Sequence, residues 1–179
     1  YTEPRPPGNA DATIDQVKHH HIEPDERWGL DHGAWSVLIQ MFPKADIPVF
    51  QLSVDLSRSP EEHFALAEEL KALRERGVMI IGSGNLVHNL RAVAWGGGPA
   101  YDWAEAFDVR MADAIAKGDY KSVVDAPKLG RIAQLSHPTF EHFFPALYPL
   151  AVADKADELS FFNEGIDLGS ISMRSFMLA

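Results

Sequence analysis

No cysteine occurs among the 179 residues. That single absence removes disulfides, thiolate ligands and thiol nucleophiles together, and it leaves only nitrogen and oxygen donors for any metal. It also suits a reducing compartment, so a cytoplasmic location is expected. Basic residues are scarce: 16 Lys and Arg stand against 26 Asp and Glu, a formal charge of -10. This surplus repels phosphate backbones and anionic lipid, so neither a nucleic-acid partner nor a membrane partner is expected. No apolar run approaches the ~20 residues that cross a bilayer, and Tyr1 to Gly8 lacks the apolar centre of a signal peptide. Internal repeats and low-complexity tracts are missing too. What is present is an ordinary globular composition, 46% hydrophobic and 10% aromatic. A chain of this length makes one domain that buries about 70% of the surface its unfolded form exposes.

Along the chain, residues 1–27 carry Pro4, Pro6, Pro7, Gly8 and many charges, and read as an extended, irregular segment with a short helix near Ala10 to Lys18. Apolar residues from Gly33 to Phe42 predict a mostly buried helix stopped by Pro43. A strand is expected over Ile47 to Val54. Ser59-Pro60-Glu61-Glu62 then supplies an N-cap, a first-turn proline and a capping-box glutamate. Phe64, Ala67, Leu70 and Leu73 follow at helical spacing until Gly77. Val78 to Ile81, bounded by Gly77 and Gly82, predicts a strand covered on both faces. Strand, helix and strand make a β-α-β unit with a right-handed crossover. Helices are also expected over Tyr101 to Ala116 and Thr139 to Val152, and a strand over Ile171 to Leu178. The fold class is therefore α/β: a central, mostly parallel or mixed sheet flanked by helices, in a single domain.

The segment Ser83-Gly84-Asn85-Leu86-Val87-His88-Asn89-Leu90 carries a histidine just beyond the end of that second strand, where open α/β sheets place their chemistry. Gly82 and Gly84 allow a tight turn and close backbone approach, which aims His88 into the crevice as a metal-ligand candidate. One histidine after a strand is more often a hydrogen-bonded structural residue, and a metal needs several convergent donors. His32 precedes a buried helix and is either an acid/base group or, with Asp31, a helix cap. His142 falls among aromatics and is either a cleft residue or a satisfied core histidine. His137, before Pro138, is expected to be exposed. His63 on a charged helix face and the triplet His19-His20-His21 are expected to be solvated. Ser83, His88 and an aspartate could be assembled into a triad, but no Gly-x-Ser-x-Gly elbow supports it.

Taken together, W-G-L-D-H-G-A-W at 28 to 35, S-G-N-L-V-H-N-L at 83 to 90, H-P-T-F-E-H-F-F-P-A-L at 137 to 147 and G-S-I-S-M near the end resemble the class III extradiol ring-cleavage dioxygenases, in particular the 4,5-DOPA dioxygenase type. The similarity runs over nearly all of residues 28–179. It implies an α/β domain and a non-haem Fe(II) cofactor, with zinc as a substitute. It also implies cleavage by O2 of a small aromatic catechol beside, rather than between, its hydroxyls. His88 matches a metal-binding histidine of the family. His32 and His142 match histidines that face substrate and oxygen, one to hydrogen-bond the oxygen and the other to move a proton. Asp31 and Asn85 are expected to support them.

The resemblance has one gap. In the family, an early His-Gly-Ser-Pro-like motif and a Ser-Ala-His-Trp-like strand end supply the other two metal ligands, and neither occurs here. The resemblance therefore implies that an N-terminal part is absent. Its ligands would then come from a separate N-terminal fragment or a homo-oligomer partner. The alternative is a non-catalytic metal-binding or interaction protein that retains part of the fold. No basic residue in the motifs is tied to a substrate carboxylate, although Arg91 is a candidate.

Overall fold

The computed structural model of the chain describes residues 7–25 and 27–179. Helices α1 (Pro7–Gln16), α2 (His32–Met41), α3 (Pro60–Glu68) and α4 (Lys71–Glu75) form the first half. The second half contains α5 (Asp102–Ala116), α6 (Tyr120–Val124), α7 (Arg131–Ser136) and α8 (Leu147–Ala151). Strands β1 (Leu159–Phe162), β2 (Ile166–Asp167), β3 (Ile171–Ser172) and β4 (Ser175–Leu178) close the chain. β1 pairs with β4 and β2 with β3, both antiparallel, so the strand expected over 171–178 divides between two small sheets.

α3 begins where its cap dictates. The Ser59 hydroxyl accepts the Glu62 amide and the Glu62 carboxylate accepts the Ser59 amide, with Pro60 in the first turn. The single helix expected up to Gly77 is broken at residues 69–70 into α3 and α4, and Gly77 ends it with φ of +80°. Leu66, Ala67, Leu70 and Leu73 bury one face against Tyr148 and Val152 of the α8 region. His63 lies in the same interface, 1% exposed, against the expectation of a solvated residue. Its Nε2–H donates to the Asp55 carbonyl at 2.9 Å, since a carbonyl only accepts. Nδ1 therefore receives the Tyr148 hydroxyl at 2.9 Å. With both nitrogens satisfied and burial holding its pKa below the ordinary value, His63 is a neutral core residue.

The larger core is organised by α5, whose Ala104, Phe107, Met111, Ala114 and Ile115 recur at helical spacing and pack with Leu86, Val87, Phe143 and Leu147. The helix expected over 139–152 is shorter: a 3-10 turn at Phe144–Ala146 carries Pro145 in its first positions and leads into α8.

The central sheet is not formed among the described residues, because neither 47–54 nor 78–81 enters a ladder there. An apolar run can favour extended backbone, but a strand exists only when a neighbour takes its N–H and C=O groups. The alternation of burial survives. Val78 and Ile80 pack with Leu52 on the α3–α8 cluster, whereas Met79 is 69% and Ile81 45% exposed. The expectation of cover on both faces is thus corrected to cover on one. α2 departs in the same sense: only Leu38 is buried, and Trp35, Val37, Ile39 and Met41 are exposed.

One ion pair braces the sheets against α5. Asp108 accepts Arg174 Nε at 2.9 Å and Nη2 at 2.8 Å together with the Ser172 hydroxyl at 2.6 Å, and Arg174 also meets Glu164. Removing one member strands a largely buried charge. Asp108→Ala is expected to lower unfolding free energy by about 3 kcal/mol, read from the urea midpoint at unchanged slope.

Candidate active site

Residues 86–89 run between two other stretches of chain, and both hold their backbone. On one side the Ser172 amide donates to the Val87 carbonyl at 2.9 Å and the Asn89 amide to Ser170 at 3.2 Å, with His88 and Ile171 in an antiparallel bridge. On the other side the His88 amide donates to Ser136 at 2.9 Å, and Asn89 Nδ2 donates to Leu135 at 2.7 Å. Leu86 and Val87 anchor the segment in the core. The Asn85 side chain donates to the Ser172 carbonyl at 2.8 Å.

The glycines ahead of this segment act through space alone. A Cβ on Gly84 would lie 2.1 Å from the His142 carbonyl oxygen, and one on Gly82 would lie 2.1 Å from that of Pro145. Neither glycine has a left-handed φ, so what glycine supplies at both positions is close approach. It lets the Asn85 amide donate to the His142 carbonyl at 2.8 Å.

The result is a pair. The imidazoles of His88 and His142 stack with centroids 3.7 Å apart and planes 9° from parallel. Burial, followed by the charge His142 can carry, holds the His88 pKa below the ordinary value. Two rings so close cannot both be cations without strong repulsion, so the pair favours the neutral, metal-competent form of His88. His142 Nδ1 is buried without a hydrogen-bond partner. Glu141 Oε1 lies 3.5 Å away, in range of charge attraction but not of a formed hydrogen bond, and is occupied by the Thr139 hydroxyl at 2.7 Å.

His32 is not brought into this stack. It is the exposed first residue of α2, behind Asp31, whose carboxylate caps the helix by accepting the Ala34 amide at 2.9 Å. The capping role therefore falls to Asp31. α2 is nevertheless tied to the site segment, because the Ser83 hydroxyl donates to the Gly33 carbonyl at 2.6 Å. That bond gives Ser83 a structural role and removes the basis for a triad.

Among the described residues, no group of three or more His, Asp or Glu side chains converges to hold a metal ion. His88 offers one good donor, and one donor does not fix a metal, so the described residues alone do not fit the cofactor. His20 corrects the expected solvated triplet: its Nδ1 meets Glu69 at 2.5 Å, and the same carboxylate accepts the Lys18 and His19 amides. His21 faces Glu23 instead. Arg91 is exposed at the surface beyond Asn89.

His137 is a further histidine whose place differs from the sequence expectation. Expected at the surface, it is 1% exposed among Phe107, Phe140 and Phe143, and its Nε2–H donates to the Leu86 carbonyl at 2.8 Å. The aromatic spacing around it was the available signal. Burial, above all, pushes its pKa down to about 4.

Two outcomes follow from this packing. Gly84→Ala is expected to lose at least 1–3 kcal/mol in chemical denaturation, because the obstructing atom is backbone and cannot rotate aside. The His137 shift also sets a pH dependence. The unfolded chain takes up this proton near pH 6.5 and the folded chain only near 4. His137's contribution to stability is therefore complete above about pH 6.5 and lost progressively down to about pH 4. Urea midpoints between pH 7.5 and 4.5 should fall less steeply for His137→Phe than for the wild type.

Comparison with known proteins matches this arrangement to a family. Residues 6–166 fit the model described as the catalytic LigB subunit of aromatic ring-opening dioxygenase. A protein of Escherichia coli K12 named 4,5-DOPA dioxygenase extradiol is 42% identical over 159 residues, which is 86% of this chain and 58% of that protein. Beta vulgaris and Mirabilis jalapa proteins of the same name are 34% and 38% identical, covering 87% and 74% of this chain and 58% and 50% of their own lengths. The chain thus spans little more than half the length of these relatives. The crystal structure of an uncharacterized protein from Escherichia coli K12 superposes with a TM-score of 0.87 at 38% identity, covering 98% of this chain and 74% of that one. The chain belongs to the LigB family of catalytic subunits of aromatic ring-opening dioxygenases.

Proposed function

We propose that the chain forms the greater part of an extradiol dioxygenase that opens a DOPA-like catechol beside its hydroxyls with O2 and a non-haem Fe(II) ion. The observation that carries this reading is the face-to-face pair of His88 and His142 beyond residues 78–81. His88, kept neutral by burial and by its neighbour, is assigned as a metal ligand. The described residues supply too few donors to hold the ion, so the remaining ligands are assigned to polypeptide outside them, either a further segment or a second copy. The reading also retains 47–54 and 78–81 as members of a mostly parallel or mixed sheet, supported over 78–81 by the alternation of half-buried and exposed residues.

The remaining roles belong to side chains that hold or move protons. His142, with Nδ1 turned toward Glu141, presents Nε2 for exchange with a catechol hydroxyl, and Glu141 steadies the charge the ring gains. His32, exposed at the start of α2, is assigned to hydrogen-bond the oxygen that adds to the ring. The -10 charge disfavours accumulation of anionic substrates, and the zwitterionic amino acid side chain of DOPA avoids that penalty.

The test is anaerobic loading with Fe(II) of a full-length protein that includes the polypeptide supplying the remaining ligands, addition of DOPA or other catechols, and admission of air. A yellow ring-opened product is expected. His88→Ala should abolish it together with tight metal binding, and His142→Ala or His32→Ala should lower kcat by about 100-fold or more with metal retained. Failure to form product across varied catechols rejects the reading. Weak metal uptake lost on changing His19, His20 and His21 would mark the chain as a metal-binding or interaction protein instead.

A further inference from the structure

We infer that His137 is a positioning residue: by donating Nε2–H to the Leu86 carbonyl from within the aromatic core, it sets the backbone of residues 86–89 and so fixes how the His88 ring lies on His142. The inference rests on the assignment of His88 and His142 as the functional pair and adds a residue that touches neither metal nor substrate.

Three hydrogen bonds join residues 135–137 to residues 86–89. They run from His137 Nε2 to the Leu86 carbonyl (2.8 Å), from the His88 amide to the Ser136 carbonyl (2.9 Å), and from Asn89 Nδ2 to the Leu135 carbonyl (2.7 Å). The His137 bond is the one on the N-terminal side of Val87. Together with the His88 amide bond it brackets that buried residue and removes the freedom of the peptide that orients the His88 side chain. His137 is itself rigid. Its ring sits edge-on to Phe107 and Phe143, with centroids at 5.7 and 5.2 Å, and tilted on Phe140 at 5.0 Å. Its own amide is held by the Ala133 carbonyl at 2.8 Å.

The chemistry of the ring argues that packing is not its whole purpose. The carbonyl acceptor requires the hydrogen on Nε2, which leaves Nδ1 as a bare acceptor, buried and without a partner. A site selected only to fill space among three phenylalanines is filled better by an apolar ring, since an unpaired polar atom in the core is destabilising. What histidine adds there is a directed donor on a stiff aromatic frame, aimed two residues upstream of His88.

Two variants of the full chain separate positioning from packing. His137→Phe keeps the ring and loses the donor, whereas His137→Gln keeps a donor that reaches the Leu86 carbonyl and loses the ring. The readouts are the imidazole nitrogen shifts of His88 and His142 in long-range 1H–15N spectra, hydrogen exchange of the His88 amide, the melting midpoint, and kcat and KM for a catechol. The Phe variant is expected to melt near the wild type, yet to shift both imidazole signals, to exchange the His88 amide at least tenfold faster and to lose about tenfold in kcat with KM within twofold. The Gln variant is expected to melt lower, yet to recover the imidazole shifts and amide protection. Wild-type imidazole shifts and His88 protection in the Phe variant overturn the inference, as do losses in both variants that simply track melting midpoint. If the Phe variant does not fold, the Gln variant decides: unmoved imidazole signals support the inference and moved signals overturn it. The spectra and exchange need no turnover, so an inactive wild type would reject the dioxygenase reading while these readouts still decide the role of His137.

Discussion

The structure depends on one close backbone contact: residues 82–85 lie against the carbonyls of His142 and Pro145 with no space for a side chain between them. From that contact the rest follows in order. The Asn85 amide reaches the His142 carbonyl, and the next four residues are drawn between 135–137 and 170–172. The side chain that emerges at position 88 then meets the one at 142 as a parallel stack. Apolar burial of Leu86, Val87, Phe143 and Leu147 supplies the driving force. The hydrogen bonds supply direction, which burial alone does not.

The polar groups around this contact divide by what they satisfy. Asp108 and Arg174 neutralise each other and secure Ser172, whose amide holds Val87 and whose carbonyl holds Asn85. His63 has both nitrogens bonded and is structural. His137 and His142 each retain a buried nitrogen without a partner. Unsatisfied buried atoms destabilise a fold, and these two belong to the ring stacked on His88 and to the ring bonded to the Leu86 carbonyl.

What could be read in the sequence was what local chemistry determines. Ser59, Pro60 and Glu62 specify the start of α3 without reference to anything distant, and Gly77 specifies an end. The motif around His88 and His142 was legible as a resemblance, and the structure does bring those two residues together. The strands at 47–54 and 78–81 were not assured, because a ladder needs a neighbour that no local run encodes. His63 and His137 were placed at the surface on the evidence of adjacent charge and a following proline. Both are buried, and their rings donate to the carbonyls of Asp55 and Leu86, 8 and 51 positions away along the chain, which the adjacent residues do not reveal. The role of Gly82 and Gly84 was legible as close approach of the backbone, which the carbonyls of Pro145 and His142 bear out.

The contacts that hold the His88 segment join residues far apart along the chain. His137 is 51 positions from Leu86, Ser170 is 81 from Asn89, and Ser172 is 87 from Asn85. Each such closure carries an entropy loss before its bond can form, and several must coincide before the two rings meet. The stacking of His88 on His142 is therefore a property of the whole folded chain and is set by no local segment, because every bond that orients it closes a long loop.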